Sequence, residues 1–184
     1  MIFAVLVGGC SAPRSPAPVS AVDFIKEFDR AEKHPASGFS IAHHVVAETG
    51  HAAIVAVVPS RLTWAIPIPR RGSFRALVVA AGAAPVRVRI GVSDSRISEE
   101  LAAATVTAGS GWSTITADLS AYAGWKFSLF YRPESQTWRV NLSADAIGGV
   151  PGQVAWGVPE IVTGTADALE YAQRRLRITR SGAP

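Results

Sequence analysis

Three clustered histidines, two adjacent glutamates and a set of alternating arginines are the residues here whose types and spacing could do chemistry. His43 and His44 are neighbours, so on a strand they face opposite sides. One of them can meet His51 across a hairpin, with Glu48 near. A compact His/carboxylate cluster of that kind is what a metal ion requires, and ordinary polar strand residues are the alternative. Glu99 and Glu100 are the adjacent carboxylates. A glycosidase needs two carboxyl groups about 5–10 Å apart across a cleft. Neighbours on a helix do not face each other, so this pair reads as a solvated face. Gly91-Val92-Ser93-Asp94-Ser95 lacks the closing glycine of a nucleophile elbow, and no phosphate loop or dinucleotide fingerprint occurs. The one cysteine, Cys10, leaves no intrachain disulfide and no Cys-rich zinc site. These absences point away from an enzyme.

The arginines alternate with apolar residues. Arg87 and Arg89 are set between Val86, Val88 and Ile90, Arg75 between Phe74 and Ala76, and Arg139 between Trp138 and Val140. Each therefore points away from a core. If these strands lie in one sheet, the four form a ladder on its outer face. Guanidinium forks match carboxylate, sulfate and phosphate oxygens. The ladder is a candidate surface for acidic polysaccharide or anionic lipid headgroups, against a merely solvated basic face.

The elements that must carry these residues read mostly as β. The chain has 184 residues, 48% hydrophobic and 17% charged, with net charge +4, which excludes a disordered chain and suits one domain. Ser40–Glu48 and Ala52–Val58 read as a hairpin around Thr49-Gly50-His51. In Arg61–Ile68 the residues Leu62, Trp64, Ile66 and Ile68 share a face, and Pro67 and Pro69 place the strand at an edge or end it. Phe74–Ala81 and Val86–Val92 read as a pair joined by Gly82-Ala83-Ala84-Pro85. Trp112–Leu119, Trp125–Arg132, Trp138–Ser143 and Gln153–Val162 complete the strands. Ser95–Ala104 is the best helix candidate in the body. A short C-terminal helix over Asp167–Ile178 has Asp167 and Glu170 at capping-box spacing, a weakly amphipathic stripe through Leu169, Ala172, Arg175 and Leu176, and a basic end. Short strands punctuated every 8–12 residues predict an all-β sandwich or barrel.

Met1–Gly9 is apolar and ends in small residues before Cys10, and a Pro/Ser/Ala stretch follows to Pro18. Val7-Gly8-Gly9-Cys10 resembles a bacterial lipobox, which implies lipidation of Cys10 and an exported, membrane-anchored or periplasmic protein. The leader departs from that pattern in its shortness and its lack of Lys or Arg.

The run from Trp112 through Asp118-Leu119-Ser120-Ala121-Tyr122-Ala123-Gly124 resembles bacterial galactose-binding-like jelly-roll modules, as do Val88–Asp94 and Trp156–Ile161. The resemblance spans about Asp23 to Val162. It implies a jelly-roll β-sandwich over residues 23–163, which leaves the signal and tether over 1–22 and the helical basic tail over 164–184 outside it. It also implies a non-catalytic module of the cell envelope that binds carbohydrate, with an envelope interaction protein or an accessory domain beside sulfatase-like enzymes as alternatives. Exposed aromatics stack on pyranose rings, which makes Trp112 and Tyr122 the ligand candidates beside core or corner packing. Glu160 with Asp29 or Glu32 would be the carboxylates of a structural calcium site, as in similar modules. No other cofactor and no nucleic-acid partner is expected; the partners are a glycan or other anionic polymer, a membrane through the lipid anchor, or a protein.

Overall fold

The computed structural model describes residues 17–94, 96–123 and 138–181. Among these residues eleven strands form two antiparallel sheets. The first sheet holds β3 (Phe39–Val46), β4 (Thr49–Val58), β11 (Gly152–Thr163), β6 (Ser73–Ala80) and β9 (Ser113–Asp118), in that order. β1 (Val19–Asp23), inside the stretch read as tether, also pairs with β11. The second sheet runs β2 (Glu32–His34), β5 (Ser60–Ile66), β10 (Trp138–Ala146), β7 (Val86–Ser93) and β8 (Ser98–Val106). One helix, α1 (Thr165–Ser181), follows β11.

The second sheet follows the alternation of its sequence. Val86, Val88, Ile90 and Val92 are fully buried, as are Val140, Leu142 and Ala144 on β10 and Leu62 and Trp64 on β5. Phe24 packs edge-on against Trp64, with ring centroids 4.7 Å apart, and against Phe74 at 5.7 Å. The Trp64 indole donates its N–H to the Glu27 carbonyl at 2.9 Å, so this buried aromatic keeps no orphan donor. The strand read over Trp125–Arg132 lies outside the described residues.

Four expectations change. The helix expected over Ser95–Ala104 does not form: residues 98–106 are edge strand β8. Glu-Glu-Leu-Ala-Ala-Ala favours a helix only weakly per residue, and a short helix is unstable alone. Pairing with all of β7 decides instead. The register slips by one at Leu101, a bulge, and a Cβ on Gly91 opposite would sit 2.7 Å from the Glu99 carbonyl. Second, β6 and β7 are not a hairpin; the 81–85 connection crosses from one sheet to the other. Third, the β3–β4 turn is at Ala47-Glu48, both with positive φ (47° and 67°), two residues before the expected glycine. Gly50 lies within β4 opposite Val45, and the His43 ring covers it, 2.2 Å from where a Cβ would stand. Fourth, Asp167 is inside the first turn of α1, bonded to Arg71 Nε at 2.7 Å rather than capping. α1 docks through Tyr171 and an Arg175–Glu27 ion pair; of the expected stripe Arg175 faces inward, while Leu169 and Leu176 face outward.

Candidate functional site

Part of the outer face of the first sheet is apolar. On β4, Ile54, Ala56 and Val58 turn to the core, so Ala53 and Val55 turn outward, yet Ala53 is fully buried. Val79 on β6 and Ala155 on β11 are outward and buried too. Register aligns Ala53, Gly157 and Leu77 in one row across β4, β11 and β6, and Val55, Ala155 and Val79 in the next. The result is a floor of small and β-branched residues.

Trp112 lies over this floor. It precedes β9, and its six-membered ring rests on Gly157, 2.9 Å from where a Cβ would stand. Its indole N–H donates to the Thr49 carbonyl at 3.1 Å, which ties the loop before β9 to the start of β4. His44 and His51, directly opposite each other across the β3–β4 hairpin, meet the indole at near right angles with centroids 5.8 and 5.2 Å away. All three rings are half-buried. A half-exposed indole offers an apolar face to a pyranose, and imidazole nitrogens beside it can donate to or accept from hydroxyls.

The other sequence-predicted residues are placed differently. Tyr122 packs edge-on against Trp138 at 5.0 Å and donates its hydroxyl to Glu99 at 2.5 Å. Burial and then the Glu99 carboxylate push that hydroxyl up to about 12. The four arginines do not form one ladder: Arg75 is on the first sheet, while Arg87, Arg89 and Arg139 are on the second. Each meets a carboxylate: Arg75 with Glu160 at 2.7 Å, Arg87 with Glu100 at 3.4 Å, Arg89 with Asp145 at 2.6 Å, and Arg139 with Glu32. Such exposed pairs stabilise by only about 0–1 kcal/mol each, but they neutralise the face. Glu160, Asp29 and Glu32 are not gathered for calcium: Glu160 is on the first sheet, Glu32 on the second, and Asp29 in a 3-10 turn over Phe28–Arg30. Among the described residues no three His, Cys, Asp or Glu side chains come together to hold a metal. Cys10 lies outside the described residues. Elsewhere a shallow depression is lined by Ile68, Pro69, Ala123, Asp167 and Tyr171, and the Arg71 guanidinium holds the Asp167 carboxyl there below its ordinary range.

The contribution of His44 and His51 to an aromatic platform was missed from the sequence. The signal was present in Ala52-Ala53-Ile54-Val55-Ala56-Val57-Val58, which shows no alternation. A strand apolar on both faces is covered on both faces.

Comparison with known proteins adds the fold. No family model and no curated protein matches the chain. Among solved structures, an exo-β-agarase matches with TM-score 0.53 and 11% identity, covering 78% of this chain and 25% of that one. The fold is a jelly-roll β-sandwich. The CBM22-1 xylan-binding domain of Paenibacillus barcinonensis Xyn10C matches at TM-score 0.48 and 10% identity, over 71% of this chain and 83% of that one. CBM51-2 with the INT domains of Clostridium perfringens ZmpB matches at 0.45 and 9%, over 73% of this chain. The chain spans 28% of that structure's length.

Proposed function

We propose that this jelly roll is a non-catalytic carbohydrate-binding module, exported and held at the bacterial cell envelope through Cys10. The observation that carries the binding reading is the Trp112 indole, half-buried between His44 and His51 over a floor of Ala53, Ala155 and Gly157. The apolar leader ending at Cys10 supports export. An uncharged glycan is the expected ligand, because the arginines that could hold an acidic one, Arg75, Arg87, Arg89 and Arg139, already meet carboxylates. Tyr122, held by Glu99 and Trp138, serves the corner of the sandwich rather than the ligand.

A glycan array read at low and high salt tests this. The native chain binds neutral oligosaccharides with little salt dependence. Trp112→Ala loses about thirtyfold in affinity, the ~2 kcal/mol of a central aromatic anchor, while retaining its thermal unfolding transition. Absence of binding to any neutral glycan, or equal binding by Trp112→Ala, overturns the reading.

A further inference from the structure

Sheet edges are the places where a β-sandwich can recruit another strand, and proteins guard them with charge, shortness, bulges or cover. The edges here are guarded unequally. β2 has three residues, two of them Glu32 and Lys33. β8 begins with Glu99 and Glu100 near its start and carries the bulge at Leu101. β9 has six residues and ends at Asp118. β1 is bulged between Ser20 and Val22 and has α1 packed against it. β3 has none of these devices. Its eight residues, Phe-Ser-Ile-Ala-His-His-Val-Val, include no Asp, Glu, Lys, Arg or Pro, and they pair with β4 in unbroken register. Among the described residues β3 pairs with β4 alone. Ile41 is 47% exposed and Val45 57%.

The hydrogen-bond phase of that edge follows from one bond. Val57 N–H donates to the Gly38 carbonyl at 2.9 Å, in the same register that sets Phe39 opposite Ala56. In an antiparallel ladder bonded and non-bonded pairs alternate. The even-numbered residues of β3 therefore bond to β4, and Ile41, His43 and Val45 turn their N–H and C=O groups to the open edge.

We propose that β3 is a self-association edge, pairing antiparallel with β3 of a second copy about a twofold axis at His43. The strand is its own complement in this register. Ile41 meets the copy's Val45 on either side of the central His43 pair, and all three facing pairs are of the hydrogen-bonded kind. Neither strand brings a charged residue, so a chain of net charge +4 meets itself at a neutral edge. An isologous contact of this kind closes at two copies. It joins two six-stranded sheets into one of twelve, with both outer faces on the same side. If the Trp112 site binds glycan, as proposed above, the dimer presents two such sites to one polymer and gains avidity without a new contact.

Sedimentation equilibrium on the full chain under reducing conditions, with amide hydrogen exchange, tests the edge without reference to any glycan. The expected species is twice the chain mass of 19.3 kDa at high micromolar concentration. The Ile41, His43 and Val45 amides should gain protection as concentration rises. Val45→Lys and Ile41→Lys, at exposed positions, should each shift the equilibrium to monomer at an unchanged melting temperature. A native chain that stays monomeric, or a dimer that persists in both lysine variants, overturns the proposal.

Discussion

At the residue scale, Gly157 sets how low the Trp112 indole can sit. A Cβ there would stand 2.9 Å from Trp112 Cζ3 and 3.3 Å from Leu77 Cβ, so any larger residue lifts the ring. Gly157→Ala should therefore displace the indole and break its bond to the Thr49 carbonyl, at a cost of roughly 1–3 kcal/mol for overpacking. The Trp112 indole N–H resonance reports this directly. A large shift of that one resonance, with the core Trp64 and Trp156 signals in place, is the expected outcome. An unmoved Trp112 resonance would contradict the packing described here. Trp112 itself was legible as a candidate, because a tryptophan beside Gly111 at a strand start is a surface position. The meeting of His51 with one of the adjacent histidines was legible from the hairpin, but their contact with Trp112 was not, because it forms only when Thr49 meets the 107–112 loop.

Among the elements, α1 depends on ionised carboxylates. The Arg71 hydrogen bond and charge hold Asp167 below the ordinary carboxylate range. Burial pushes Glu27 up, but the hydrogen bonds and charges of Arg175 and Arg30 together outweigh it and leave Glu27 lowered. Both groups have depressed folded values, so their stabilisation of the helix is complete above the unfolded carboxylate pKa of about 4 and is lost as pH falls through the folded values. Acidification should undock α1 while the sandwich persists, seen as loss of the shifted Tyr171 ring resonances before those of Trp64. Simultaneous loss of both signals would show that the helix is not separately held. The helix itself was legible from its Asp167 start and basic end, but its orientation was not. Leu169 and Leu176 form the better apolar stripe in the sequence, yet Tyr171 is the residue that reaches the core. β8 shows the opposite conflict, where local preference for helix gives way to a full strand of pairing partners.

For the whole molecule, the alternation of β5, β7 and β10 made the sandwich readable, because one face of each is core and the other is water. The partition of strands between sheets was not readable. A five-residue link such as 81–85 serves a hairpin or a crossover equally well, and only the two-sided burial of β6 distinguishes them. That same two-sided burial carries the functional account, since it places an aromatic cover on an outer face. The central claim is that this cover is a glycan platform. Backbone amide chemical-shift mapping of the full chain, titrated with a neutral oligosaccharide selected on the array, tests it most directly. The account predicts that the perturbed amides cluster at Thr49, His51, Ala53, Trp112, Ala155 and Gly157. Perturbations confined to the arginine-bearing face of β7 and β10, with the Trp112 cluster silent, would contradict it.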